Sequence, residues 1–150
     1  MAGDGLCIYF CGSIRGGRGD ADIYQQLITH LQSFGKVLTE HVGSKEVNEK
    51  GVIKEDAGMS DKEIHDRDIM WLEMSNVVVA EVTTTSLGVG YELGRAVAMK
   101  KKILCLFRPT PDKRLSAMIE GAKNCDNFEV VHYSDVYEGF TAISTFMKTL

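Results

Sequence analysis

Val77-Val78-Val79-Ala80-Glu81-Val82-Thr83-Thr84-Thr85-Ser86-Leu87-Gly88-Val89-Gly90-Tyr91-Glu92-Leu93-Gly94 changes structural period part-way along. The apolar run 77–82 has the continuous hydrophobic character of a parallel strand buried on both faces. Val89, Leu93, Ala96 and Val97 then recur at helical spacing beyond a polar turn. Strand, turn and helix in that order make the repeating unit of an α/β sheet. At about 100° per residue, Glu92 falls beside Val89 and Ala96, on the border of the inward stripe and in the first turn of its helix. A carboxylate there is partly desolvated near free backbone N–H groups, and the helix dipole favours its ionised form. The position suits a nucleophile, and also an acid that merely complements the dipole.

Upstream, Leu6 to Cys11 reads as a first strand, followed by the loop Gly12-Ser13-Ile14-Arg15-Gly16-Gly17-Arg18-Gly19. A helix from Asp20 to Phe34, with Ile23, Leu27, Leu31 and Phe34 inward, ends at Gly35, and Lys36 to Val42 is a second strand. Residues 43 to 58 show no periodicity and read as a long loop or insertion, either a lid or a plain connection. Ser60 with Glu63 makes a capping box for a helix running to Ser75. After the run at 77–82 and the Glu92 helix come a fourth strand at Ile103 to Phe107, a short helix at Leu115 to Gly121, a fifth strand at Phe128 to His132 and a closing helix at Val136 to Met147. Alternating strands and helices predict one domain over residues 1–150, a three-layer doubly wound α/β fold with a five-stranded parallel sheet of order 2-1-3-4-5. In that order strands one and three are neighbours, so the loops 12–19 and 83–90 converge on one crevice at the switch point.

With 150 residues, 44% of them hydrophobic, the chain can bury one sizeable core. A formal charge of −4 opposes a broad grip on duplex DNA. The first residues lack a basic leader pattern and no apolar run reaches membrane-spanning length, so the expectation is a soluble, unsecreted protein of the cytoplasm, with the nucleus as a second location. The cysteines, Cys7, Cys11, Cys105 and Cys125, form no C-x-x-C pair, and the histidines, His30, His41, His65 and His132, have no metal-type spacing. Reduced thiols, no metal and no cofactor follow.

Neither glycine loop fits a familiar nucleotide motif. Gly12 and Gly17 have P-loop spacing, but Arg18-Gly19 stands where Lys and Ser or Thr would reach phosphate and magnesium. Gly88-x-Gly90 lacks a third glycine at 93 and follows the third strand. What remains is two loops whose backbone amides can approach an anion. Asp68 lies within the inward arc of Ile64, Trp71, Leu72 and Ser75. It is either a structural partner of a buried donor or, with Glu92, half of a pair dividing acid, base and nucleophile roles. Tyr9, near the carboxyl end of the first strand, is either core or an orienting hydroxyl for a crevice carboxylate. Lys100-Lys101-Lys102 reads as a solvated partner of a helix C-terminus.

Tyr9 to Arg18, Leu38-Thr39-Glu40-His41-Val42, Val77 to Val82, Ser86 to Ala98, Ile103 to Pro109 and Leu115-Ser116-Ala117-Met118-Ile119, taken together and in order, closely resemble the 2′-deoxynucleoside 5′-phosphate N-hydrolases, relatives of the nucleoside 2-deoxyribosyltransferases. The resemblance runs from Leu6 to about Tyr133 and departs at 43–60, at 124–127 and in the last helix. It implies hydrolysis of the N-glycosidic bond of a 2′-deoxynucleoside 5′-monophosphate to free base and 2-deoxyribose 5-phosphate. Glu92 would be the nucleophile of a glycosyl-enzyme intermediate, Tyr9 would hold it, and Asp68 would assist base departure or activate water. Gly12, Ser13, Ile14, Arg15, Gly16, Gly17, Arg18 and His41 would contact substrate, with Ser86 and the Gly88 amide on the 5′-phosphate. Ser116, Ala117 and Met118 would complete the site of a partner in a homodimer. The alternatives are a deoxyribosyltransferase that passes the sugar to another base, a non-catalytic nucleotide sensor, and a flavodoxin-like interaction module.

Overall fold

The computed structural model describes residues 5–15, 17–44 and 52–150. Five strands form one parallel sheet: β1 (Cys7–Cys11), β2 (Lys36–Val37), β3 (Val77–Glu81), β4 (Lys102–Phe107) and β5 (Phe128–His132), in the order β2-β1-β3-β4-β5. Among the described residues four α-helices lie between them, α1 (Ala21–Leu31), α2 (Asp61–Met74), α3 (Leu87–Ala98) and the short α4 (Ala117–Glu120), and α5 (Val136–Met147) follows β5. The strand order and the layering on both faces are as the alternation of periods predicts.

Because successive strand residues point to opposite faces, each strand divides its side chains between two cores. Ile8, Phe10, Val77, Val79, Leu104 and Leu106 pack under α1 and α5, together with Tyr24, Leu27, Leu31, Ile143 and Phe146. Tyr9, Cys11, Val78, Ala80, Ile103 and Cys105 face α2 and α3 and meet Ile69, Leu72, Val89, Leu93 and Ala96. This parity puts Tyr9 on the same side of the sheet as the helices carrying Asp68 and Glu92.

The elements differ from expectation where side chains override the period. The second strand ends at Val37 rather than Val42. Leu38 N–H still reaches Ile8 O at 2.9 Å, but at the next rung the Thr39 hydroxyl accepts from Phe10 N–H and donates to Phe10 O, both at 2.8 Å. One side chain replaces both backbone partners, and residues Glu40–Gly43 turn away as a 3-10 turn. In α1, Tyr24 and Ile28 are buried with Leu27 and Leu31, whereas Ile23 is only half-buried, as is Phe34 beyond the helix end at Leu31. Gly35 matters for a reason other than a left-handed helix end: a Cβ there would lie 2.5 Å from Leu6 O, so only glycine lets the chain pass under β1.

Ser60 and Glu63 cap α2 reciprocally, at 3.1 Å from Glu63 N to Ser60 Oγ and 2.9 Å from Ser60 N to Glu63 Oε1. Within the expected 43–58 loop, residues 45–51 lie outside the described residues. Of the rest, Ile53 is fully buried and Lys54–Asp56 forms a further 3-10 turn with Asp56 buried, so this part is packed onto the body. All four cysteines are free thiols; Cys11 and Cys105 are buried, but Cys125 is exposed. Among the described residues no helix is long and apolar enough to cross a membrane.

Candidate active site

A cleft of about 600 Å³ opens at the carboxyl ends of β1 and β3. Gly12, Ile14 and Arg15 from the first loop and Thr85, Ser86, Leu87 and Gly88 from the second line it, with Asp56, Asp61, Ile64, His65, Asp68 and Ile69 opposite and Tyr91 and Glu92 from α3. The two glycine-bearing loops therefore meet, as the switch-point topology requires. Four carboxyl groups and one guanidinium face this space, and that guanidinium, Arg15, is already paired with Asp61 at 3.0 Å. An anion entering here must be held chiefly by backbone N–H groups.

The start of α3 supplies them. Ser86 is the N-cap: its hydroxyl accepts from Val89 N–H at 3.3 Å and its carbonyl from Gly90 N–H at 3.1 Å. Leu87 and Gly88, at the first two helical positions, have no acceptor within the helix for their N–H groups. Gly88 is exposed on the cleft wall, and a Cβ on it would come no nearer than 3.8 Å, to Ser86 Oγ. The glycine leaves the backbone approachable.

The helix begins at Leu87, so Glu92 stands in its second turn, not its first. It is therefore held by a side chain and not by free amides: the Tyr9 phenol, fully buried, donates to Glu92 Oε2. The sign of the electrostatics also differs from the dipole argument. Burial pushes the Glu92 carboxyl up to about 7, with the Asp68 charge adding to the rise and the Tyr9 hydrogen bond opposing it. Tyr9 itself is pushed far above its ordinary value, first by burial and then by the Glu92 charge, so the phenol keeps its proton and remains a donor.

Asp68, half-buried on α2, is the second carboxyl of the cleft. Burial raises its pKa, while the neighbouring Arg67 guanidinium, 2.9 Å from Oδ1, opposes that rise. Asp68 thus has the structural cation partner that one reading of its position expects, and it also lines the cavity.

Of the expected contact residues, Gly12, Ile14 and Arg15 line the cleft, whereas Ser13, Gly17, Arg18 and His41 do not. Tyr24 lies so close under the first loop that a Cβ on Gly12 would be 2.8 Å from its ring, and its hydroxyl accepts from Ser13 N–H at 3.0 Å. Ser13 is fully buried, and its hydroxyl has no hydrogen-bond partner among the described residues. Arg18 turns away from the cavity, donating to Ser13 O at 3.0 Å and to Ser44 O. Gly17 takes a positive φ of 140°, a conformation that side chains disfavour, against Thr84. His41 is buried beneath α2, against Trp71. Gly16 lies outside the described residues.

A buried cluster escapes periodicity altogether. Glu81, inside the third strand, is fully buried at its carboxyl end. It accepts from Thr83 N–H and Thr83 Oγ1, each at 2.8 Å, from Arg108 Nη1 at 2.9 Å and from the Tyr133 hydroxyl. Arg108 also pairs with Asp20 at 2.6 Å, and Asp20 accepts from Thr84 Oγ1 at 2.9 Å. Two acids on one arginine thus fix the Thr83–Thr84 stretch that leads into Ser86. The signal was an acid within a run of valines, a residue that is almost never buried unpaired.

A family model described as nucleoside 2-deoxyribosyltransferase matches residues 8–129, from within β1 to the start of β5 and including both cleft loops. The chain belongs to the nucleoside 2-deoxyribosyltransferase family. Among its relatives, a 5-hydroxymethyl-dUMP N-hydrolase of Tetraodon nigroviridis is 62% identical over 126 residues, 84% of this chain and 87% of that protein. The human protein of the same name is 54% identical over 128 residues, 85% of this chain and 72% of that protein. A solved structure, the Clostridium botulinum CMP N-glycosidase, matches with a TM-score of 0.67 at 18% identity, covering 93% of this chain and 98% of the other. At that identity the likeness concerns the fold.

In this nucleoside 2-deoxyribosyltransferase family member, Ser116, Ala117 and Met118 do not line the cleft of their own chain. They form the exposed start of α4, where Ser116 Oγ accepts from Met118 N–H at 3.2 Å. The Met118 side chain is 82% exposed. Among the described residues no group of three or more His, Cys, Asp or Glu side chains is placed to hold a metal ion.

Proposed function

We propose that the protein hydrolyses the N-glycosidic bond of 2′-deoxynucleoside 5′-monophosphates, releasing the base and 2-deoxyribose 5-phosphate. The observation that carries this reading is the pairing of Tyr9 with Glu92 in a cleft that also holds Asp68 and the open N-terminus of α3. The names of the relatives, 5-hydroxymethyl-dUMP N-hydrolases, agree with it and point to a 5-substituted uracil nucleotide as a substrate to test first.

In the proposed reaction the 5′-phosphate sits at Ser86 and the Leu87 and Gly88 amides, where the helix dipole favours a dianion without a cationic pocket. That placement leaves the anomeric carbon near Glu92. As the bond to the base stretches, positive charge grows on the sugar ring, and the Glu92 carboxylate stabilises it and then bonds to C1′. Asp68 in its protonated form gives its proton to the departing base. In its ionised form it then takes a proton from the water that displaces Glu92, so the enzyme returns to its starting state. A 2-deoxy sugar reaches the oxocarbenium-like state more easily than ribose, and a wall containing Ile14 offers a 2′-hydroxyl no polar partner.

The site is completed, in this reading, by a second copy of the chain. Leu87 is 94% exposed and Met118 82%, and Met70, Met74 and Val97 are also exposed, apolar side chains that such a partner would cover. A homodimer burying it would bring Ser116 of one copy to the phosphate of the other.

The test is a screen of deoxynucleoside and ribonucleoside monophosphates for release of sugar phosphate, with Glu92→Ala as control. The reading expects release from deoxynucleotides, 5-hydroxymethyl-dUMP among them, and none from the variant. Unchanged turnover by Glu92→Ala refutes the assignment. An added acceptor base that is converted to a new nucleotide identifies sugar transfer instead.

A further inference from the structure

Arg67 joins three parts of the molecule that meet at one wall of the cleft, which Asp56 and Asp68 line. Its Nε donates to Asp68 Oδ1 at 2.9 Å, its Nη2 donates to Asp56 Oδ1 at 2.8 Å and to His41 Nε2 at 3.2 Å, and its Nη1 lies 3.3 Å from Met59 Sδ. The guanidinium also stacks over Trp71, 4.7 Å from the ring centroid. Asp56 and His41 are buried, so the 52–59 segment and the 3-10 turn after β2 both close onto this one side chain.

The protonation states are mutually consistent. A guanidinium has donors only, so His41 Nε2 must accept, which makes the imidazole neutral with its proton on Nδ1. Burial and the Arg67 charge both depress the His41 pKa, in agreement. Neighbours in sequence on a helix do not face each other. Arg67 nevertheless folds back onto Asp68, because Asp56, His41 and Trp71 hold its far side. A planar fork is needed for this, and a lysine ammonium could not span both carboxylates in the same way.

We propose that Arg67 is a positioning residue for glycosidic cleavage, fixing the Asp68 carboxyl in the cleft, with Asp56 as the anchor that fixes Arg67. The proposal rests on the reading of Glu92 and Asp68 given above. It also gives the described end of the 43–58 segment a part in catalysis, since Asp56 reaches from that segment to the arginine that orients the acid.

The test measures kcat and KM for base release by wild type, Arg67→Lys, Asp56→Asn and the double variant, with thermal melts beside them. Misplacing a reacting group by about 1 Å can cost on the order of 100-fold. Arg67→Lys is expected to lower kcat by about 10-fold to 100-fold with KM little changed. Asp56→Asn should lower kcat in the same direction in the wild type but add nothing in the Arg67→Lys background, since it acts through the arginine. Wild-type kcat in Arg67→Lys, or losses that multiply in the double variant, overturns the proposal. A purely structural role would show as lowered melting temperature with kcat retained, which also overturns it. Should Arg67→Lys fail to fold, Asp56→Asn alone decides, by its kcat at unchanged KM. Failure of the functional reading looks different: Glu92→Ala would then retain turnover whatever Arg67 does.

Discussion

The Tyr9 phenol, fully buried in the sheet, donates its hydrogen bond to Oε2 of Glu92, a carboxyl whose pKa burial pushes up to about 7. The bond favours the charged form and the nearby Asp68 charge disfavours it, so the two neighbours tune the nucleophile in opposite directions. At neutral pH the group stands near half-ionisation. The acidic limb of the kcat/KM profile is therefore expected near pH 7, with activity rising as Glu92 loses its proton.

Tyr9→Phe removes the stabilising donor and is expected to move that limb to higher pH; Asp68→Asn, in its residual activity, should move it lower. Rate profiles from pH 5 to 9 for the three proteins check both signs. A shift of both variants in the same direction would contradict the assignment.

The same carboxyl should cost stability. Its folded pKa is raised above the ordinary glutamate value of 4.5, so the folded state binds the extra proton between about pH 4.5 and 7, and stability falls as pH rises through that window. Glu92→Gln abolishes the penalty. Its melting temperature is expected above wild type at pH 8, by an amount corresponding to at most about 3 kcal/mol, with the gain fading toward pH 4.5. Calorimetry at the two ends of the range measures it.

Thr39 ends the β1–β2 ladder by satisfying both Phe10 N–H and Phe10 O. Thr39→Val keeps the shape and strands two buried backbone groups, each costing about 1–3 kcal/mol. Thr39→Ser, which retains the hydroxyl, should recover most of the loss in urea unfolding.

Glu81 anchors the Thr83–Thr84 stretch through Arg108, on the α1 and α5 side of the sheet and not the side of the reacting carboxyls, but next to the loop proposed to hold phosphate. Glu81→Gln leaves Arg108 with a weaker partner in a buried place, a loss of roughly 3 kcal/mol in stability. KM for a deoxynucleoside 5′-monophosphate is expected to rise while kcat changes less. Titration with 2-deoxyribose 5-phosphate separates the binding effect from chemistry.

What the sequence shows clearly is whatever follows a period. The strands, the α2 capping box at Ser60 and Glu63, and the inward placement of Asp68 and Glu92 all follow from spacing, and strand parity alone sets Tyr9 facing α2 and α3. The second strand reads too long because Leu38 to Val42 has strand composition, whereas a single hydroxyl at Thr39 decides where pairing stops. Glu81 among valines marks one end of the Arg108 cluster, but the partners that Arg67 and Arg108 gather are not legible in the sequence, for a related reason. Each gathers residues far apart in the chain, as Asp20 with Arg108 and Asp56 with Arg67 show, and such convergence leaves no local pattern. The reaction is a different matter, since spacing locates the acids but only family likeness suggests a nucleotide.

The proposed covalent role of Glu92 can be tested directly by acid-quenching the protein during turnover of a deoxynucleoside 5′-monophosphate and mapping the protein by mass spectrometry. The mechanism requires a 2-deoxyribose 5-phosphate adduct on the peptide carrying Glu92, absent from Glu92→Gln, which should also release no base. An adduct on another residue, or base release by Glu92→Gln at the wild-type rate, would contradict it.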